Sequence, residues 1–175
     1  GRLLQGMGFA GEAMRWSERA LAVEPGHPAA SFNRGLLCLA RGDLEEGWSG
    51  YDRRFLAREL AGAARVLPVP GWAGEDPARR SLLIWREQGI GDEMMFASCL
   101  PNLIARAGSV AVECDRRLVP LFARSFPEAV VRPSPADPEE PFGGIDGHVA
   151  MGSLPRWLRP AWTTGEKGWT RSGRG

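Results

Sequence analysis

Apolar positions along this chain change their rhythm partway through. From Gly11 to Phe55, small and apolar residues recur at helical spacing. From Ser81 onward they come in short runs separated by longer helical patterns. Leu82 to Trp85 reads as a first strand and Val110 to Cys114 as a second. Ala129 to Val131 reads as a third and His148 to Met151 as a fourth. Between the first two lies a helix over Glu93 to Arg106, with Met94, Met95, Leu100 and Ile104 among its apolar positions and Gly108 ending it. Asp115 can cap a second helix over Arg116 to Phe126, in which Pro120 either sits uncomfortably or marks a late start. Proline-rich, acidic 133–144 reads as a surface loop. Strands that are apolar almost throughout, set between helices, predict a parallel sheet covered on both faces.

The first third repeats itself. Shifted by 34 residues, Gly1 falls on Gly35, Leu3 on Leu37, Leu4 on Cys38, Gly8 on Gly42 and Ala13 on Gly47. This period, with small residues at these points, resembles the tetratricopeptide repeat, a pair of antiparallel helices. In Ala29 to Phe55, Gly35 is the expected close-packing point, Arg41-Gly42-Asp43 the turn, and Trp48 and Tyr51 the bulk on the second helix. Glu24-Pro25-Gly26-His27-Pro28 separates one helix from the next. The pattern departs at Ser31, where the family has a large aromatic, and at Arg54, where it has alanine. The resemblance implies partner binding on a concave surface. In repeat-bearing sugar transferases an asparagine at the place of Asn33 holds a peptide backbone; a common polar residue of the repeat is the plainer reading.

Residues 57–80 change character again. Two prolines and a glycine in Val66-Leu67-Pro68-Val69-Pro70-Gly71-Trp72 forbid a continuing helix, so the domain boundary is placed here, with Trp72 as a packing anchor.

Composition removes several classes of function. The chain has 175 residues, 22 basic and 21 acidic, so it carries no electrostatic footprint for nucleic acid or an anionic membrane. A hydrophobic content of 43% supports a packed core. No apolar run is long enough to span a bilayer. Cys38, Cys99 and Cys114 are isolated in apolar contexts and read as buried thiols in a reducing, cytoplasmic compartment. With two histidines and no cysteine pair, no metal site is expected, and no cofactor is assigned.

The turn after the first strand carries the candidate chemistry. Ser81 to Phe96 reads SLLIWREQGIGDEMMF: strand, glycine-rich turn, acid, helix. Glycines let backbone N–H groups approach a ligand, and a helix start favours negative charge. Gly89 and Gly91 match the first two glycines of a dinucleotide fingerprint, but Met94 holds the third place. Glu113 lies at about the distance of the acid that such sites use for ribose.

A second reading rests on the order of motifs. Pro70-Gly71-Trp72-Ala73-Gly74, Leu82-Leu83-Ile84-Trp85, Glu87-Gln88-Gly89-Ile90-Gly91-Asp92 and Ile145 to Pro155 resemble bacterial tetratricopeptide proteins with a glycosyltransferase-like domain. The likeness runs from Gly1 to Pro155. It implies an α plus α/β chain: helical hairpins (1–56), a linker (57–80) and a Rossmann-like parallel-sheet half-domain (81–160). That half-domain is similar in layout to the N-terminal, acceptor-side half of the two-domain GT-B fold of heptosyltransferases. The resemblance places a general base at Asp92, because a carboxylate beside an acceptor hydroxyl removes its proton as the glycosidic bond forms. Capping of the helix by Asp92 is the plainer role. Gly89 and Gly91 would give room for acceptor or sugar, and Glu87 and Gln88 would line the cleft or sit in a solvated loop. Ser153 would offer a hydroxyl to a ligand, with capping of the following turn its plainer role.

The donor-side domain has no room after Pro155, and 161–175 lacks apolar periodicity and reads as a disordered tail. The chain is therefore expected to be a fragment, incomplete for sugar transfer alone. It would have a protein or peptide partner at the repeats, a glycan or protein acceptor, and a nucleotide-sugar only with a second domain. The alternative is a non-catalytic interaction module, and a nucleotide-binding oxidoreductase domain is a third class.

Overall fold

The computed structural model describes residues 9–57, 64–135 and 143–159. The sequence readings for 1–8, most of 136–144 and the tail beyond Arg159 lie outside those residues. Three helices open the described chain: α1 (Ala10–Val23), α2 (Pro28–Arg41) and α3 (Leu44–Tyr51). α3 tightens into a 3-10 turn, Asp52–Leu56. Pro28 starts α2 where a missing N–H costs nothing, and the Ala30 N–H donates to His27 Nδ1 at 3.3 Å. Gly42, at φ 88°, ends α2 in the left-handed region.

α2 and α3 lie back to back because two glycines let them. A Cβ on Gly35 would stand 2.7 Å from the Gly50 carbonyl carbon, and one on Gly50 would stand 2.7 Å from Gly35 Cα. Beside them Tyr51 and Phe32 are buried and Trp48 is half-buried.

The second half alternates β1 (Ser81–Trp85), α4 (Ile90–Phe96), α5 (Leu100–Ile104), β2 (Ser109–Cys114), α6 (Val119–Ser125), β3 (Val130–Pro133), β4 (Gly147–Ala150) and α7 (Leu154–Leu158). The strands form one parallel sheet in the order β3-β2-β1-β4, a small Rossmann-like arrangement. Leu82 pairs with Val110 on one side and Gly147 on the other.

Alternation along the strands sorts the two faces. Leu82, Ile84, Val110, Val112, Cys114 and Val149 pack with Phe96, Leu100, Leu103, Leu118 and Phe122 from the helices. Phe32, Tyr51 and Trp48 of the hairpin belong to that same core, and the Trp48 and Tyr51 rings lie 6.2 and 6.1 Å from Phe96. Leu83, Trp85, Ala111 and Ala150 make the other face, covered by Leu67, Val69, Phe55 and Ile145. Trp72 is buried, its backbone N–H donates to the His148 carbonyl at 2.7 Å, and its ring meets Trp157 at 6.4 Å.

Four details differ from the sequence reading, the first being that the fourth strand, expected over His148 to Met151, runs Gly147–Ala150 and gives Met151 to a 3-10 turn. The helix expected over Glu93 to Arg106 starts earlier and is broken: a 3-10 turn, Ala97–Cys99, separates α4 from α5. Pro101 has no N–H to give to the Ala97 carbonyl, so an uninterrupted helix would lose that bond. α6 starts at Val119 after Leu118; the Asp115 carboxylate accepts the Arg117 backbone N–H at 3.0 Å in the turn before the helix and also pairs with the Arg117 and Arg86 guanidinium groups. The third strand slides to Val130–Pro133, where proline is tolerated because β3 is an edge strand.

Candidate functional site

In open parallel sheets, ligands enter beyond the carboxyl ends of the strands where the strand order reverses. Here that point lies between β1 and β4. The turn after β1 supplies Arg86 to Gly89, and the turn after β4 supplies Met151 to Ser153. The space between them is filled by Arg54, which comes from the 3-10 turn of the hairpin and is 0% exposed.

All five of its N–H groups are used. Nε donates to Glu87 Oε2 at 2.7 Å, and one terminal nitrogen donates to Glu87 Oε1 at 2.5 Å and to Ser153 Oγ at 2.9 Å. The other donates to Asp52 Oδ1 at 2.9 Å and to the Tyr51 carbonyl at 3.3 Å. The guanidinium also lies 4.5 Å from the Tyr51 ring centroid and 4.1 Å from that of Phe55. Glu87 Oε1 accepts the Gly152 N–H at 3.0 Å as well. Asp52 accepts the Ser153 hydroxyl at 2.7 Å and Arg156 at 2.9 Å.

The residues singled out in the sequence gather only partly around this point. Ser153 is buried and belongs to the Arg54 network. Gln88 Nε2 donates to the Tyr51 hydroxyl at 2.5 Å, and burial raises that phenol above its ordinary value. Gly89 precedes α4, and its N–H donates to Asp92 Oδ2 at 3.2 Å. Asp92 is half-buried in the first turn of α4, and Gly91 is exposed with open space beside it. Asn33 is half-buried on α2.

Arg54 and the depth of Glu87 escaped the sequence reading. One signal pointed to them: Arg54 stands where the repeat pattern wants alanine. A guanidinium on a packed face needs an acid buried with it.

A second charged cluster lies at the end of β2. Glu113 is wholly buried; it accepts Arg132 at 3.0 and 2.5 Å through Oε1 and Arg65 through Oε2. Its oxygens are thus committed to two guanidinium groups, which removes it as a ribose-binding acid. Nearby, Glu93 Oε2 accepts the Asp115 N–H at 2.7 Å, and its other oxygen lies 2.8 Å from Arg86 Nε. Burial raises the Glu93 carboxyl, against that hydrogen bond and Arg86. Hydrogen bonds from Arg117, first the side chain and then the backbone, hold Asp115 well below the usual carboxylate range. Burial, with Glu93 adding to it, pushes the Cys114 thiol up to about 12, so it is no nucleophile.

A groove of about 800 Å³ runs between the hairpin and α7, lined by Ser31, Arg34, Glu46, Ser49, Arg53, Arg156 and Trp157 among others. Arg34 donates to Glu46 across it at 2.6 Å. Among the described residues, no group of histidine, cysteine, aspartate and glutamate side chains is placed to hold a metal, and no helix is long and apolar enough to cross a membrane.

No family model matches the chain. No solved structure matches it. A curated relative, Protein FlbA of Caulobacter vibrioides (strain ATCC 19089 / CIP 103742 / CB 15), is 42% identical over 118 residues, which take in 61% of this chain and 19% of the relative. The chain therefore spans about a fifth of the length of the curated relative it matches.

Proposed function

We propose that this chain is the junction of a repeat-bearing glycosyltransferase-like protein, joining the end of a tetratricopeptide array to the acceptor-side half of a GT-B fold. The observation that carries the reading is the docking of the hairpin against the carboxyl edge of the sheet, beside the Gly89 to Asp92 turn. A peptide held along the hairpin, in the groove of Ser31, Arg34 and Arg53 or at Asn33, would be delivered to that edge. There Asp92 is the candidate base, Gly89 and Gly91 would give room for an acceptor, and Gln88 and Ser153 flank the turn. In that two-domain fold the donor nucleotide-sugar would be held by the second domain. The buried thiols Cys38, Cys99 and Cys114 fit a cytoplasmic setting.

The test is sugar transfer by the intact protein that contains this chain. Asp92→Asn is expected to abolish turnover while leaving the circular dichroism spectrum unchanged and the stability within about 1 kcal/mol of wild type. Retained turnover would remove Asp92 from the chemistry.

A second reading, a non-catalytic interaction module, draws on the filled crevice and on the Gly89 N–H held by Asp92. It expects partner binding to survive Asp92→Asn and no sugar transfer from any form of the intact protein.

A further inference from the structure

We propose that the crevice between β1 and β4 is a guanidinium socket filled from within the same chain by Arg54. It is thus a docking joint between the hairpin and the sheet, and not a ligand pocket. The inference is independent of the transferase reading.

Three segments far apart in sequence converge on one side chain. The hairpin brings Arg54 with Asp52, Tyr51 and Phe55. The turn after β1 brings Glu87, and the turn after β4 brings Ser153. Both Glu87 oxygens face the planar fork of Arg54, the bidentate match that lysine cannot make. A buried charge with any donor left over would be costly, and Arg54 has none left over. The turn after β4 is built around the carboxylate as well: a Cβ on Gly152 would come within 2.6 Å of Glu87 Oε1.

Charge decides what the socket takes. Without Arg54, its walls would be the Glu87 and Asp52 carboxylates and the Ser153 hydroxyl. Arg156 would remain on the far oxygen of Asp52. Such walls accept hydrogen bonds from a flat cation and repel the phosphates of a nucleotide. The place where related sheet layouts receive dinucleotides is here committed to holding the hairpin in register with the Gly89 to Asp92 turn.

The experiment uses the full chain with Arg54→Ala and Arg54→Lys, each melted with and without millimolar ethylguanidinium, and with sodium chloride and urea as controls. Arg54→Ala is expected to melt about 10 °C lower. Ethylguanidinium should restore half or more of that loss, and the controls should restore none. Arg54→Lys should recover little. UDP and NAD titrated into wild type and Arg54→Ala should leave both melting points unmoved. Should Arg54→Ala fail to fold, ethylguanidinium present during refolding should return it to the folded state. An alanine variant that melts like wild type would overturn the socket. So would a lysine variant as stable as arginine, no response to ethylguanidinium in melting or refolding, or nucleotide binding gained by Arg54→Ala.

Discussion

Trp85, at the end of β1, donates its indole N–H to His148 Nδ1 on the adjacent β4 at 3.0 Å. That bond requires a neutral imidazole with its proton on Nε2, since a protonated ring would set two donors against each other. Burial, and then the charge of Arg65, lowers the His148 value below that of an ordinary histidine. The unfolded chain therefore takes up the proton first as pH falls. The stability held by this pair is present above the ordinary histidine value and is lost as pH falls through the folded one. Glu93 works in the opposite sense. Its raised folded value gives stability present at low pH and lost as pH rises through it. Replacing His148 by Asn keeps an acceptor for the indole and removes the titration. Calorimetric melting of wild type and His148→Asn from about pH 8 to about pH 5 should show the gap closing or reversing as pH falls. Parallel curves would refute the assignment.

Gly35 and Gly11 make a matched pair for the same substitution. At Gly35 an added methyl meets backbone atoms of Gly50 and Tyr51 at 2.7 Å, which have nowhere to go. At Gly11, in α1, it meets nothing within 4 Å. Gly35→Ala is expected to cost about 1–3 kcal/mol from overpacking. Gly11→Ala should gain up to about 1 kcal/mol from helix propensity. Urea midpoints read both, and the expectation fails if the two shifts share a sign.

Gly152 extends the argument to the turn after β4. A methyl there faces Glu87 Oε1 at 2.6 Å, Phe96 at 3.2 Å and Arg54 at 3.4 Å. Glu87 cannot swing away without releasing Arg54, so Gly152→Ala should cost about 1–3 kcal/mol. The same change in a Glu87→Gln background should cost less, because the neutral amide it displaces holds Arg54 less strongly than the carboxylate does. Additive losses in a double-mutant cycle would mean that the turn and the ion pair are independent.

The existence of four strands and their parallel direction follow from local pattern, because short apolar runs between helices are what a parallel sheet needs; their ends and their order do not. The hairpin turn follows from local pattern too: Gly42 and the Pro28 start are local instructions. Asp115 does accept a backbone N–H in the turn before α6, but its arginine partners, Arg86 and Arg117, reach it only in the folded chain and leave no trace in the local pattern. The break at Pro101 was legible in principle, but the apolar spacing of Leu100 and Ile104 spoke for one helix. The candidate turn around Asp92 was visible through its glycines. The occupant of the crevice was not, since Arg54 and Glu87 are 33 residues apart and meet only through tertiary packing. A period read along the chain reports which face is buried; it does not report which buried charge crosses from one unit to the other.

Glu113 offers the sharpest separation between structural and ligand-binding roles at the end of β2. Its carboxylate is buried and shared by Arg65 and Arg132. Removing one side of a buried ion pair costs about 3–5 kcal/mol, because the remaining charge loses its counterpart in a poorly solvated place. Glu113→Gln keeps the shape and one acceptor oxygen, so about 3 kcal/mol is expected, read as a lower urea midpoint with an unchanged slope. A ribose-binding acid would behave otherwise: NAD would raise the melting point of wild type, and Glu113→Gln would abolish that rise at little cost to stability. The structural role predicts the reverse on both counts, with no response to NAD in either protein and a large loss in the variant.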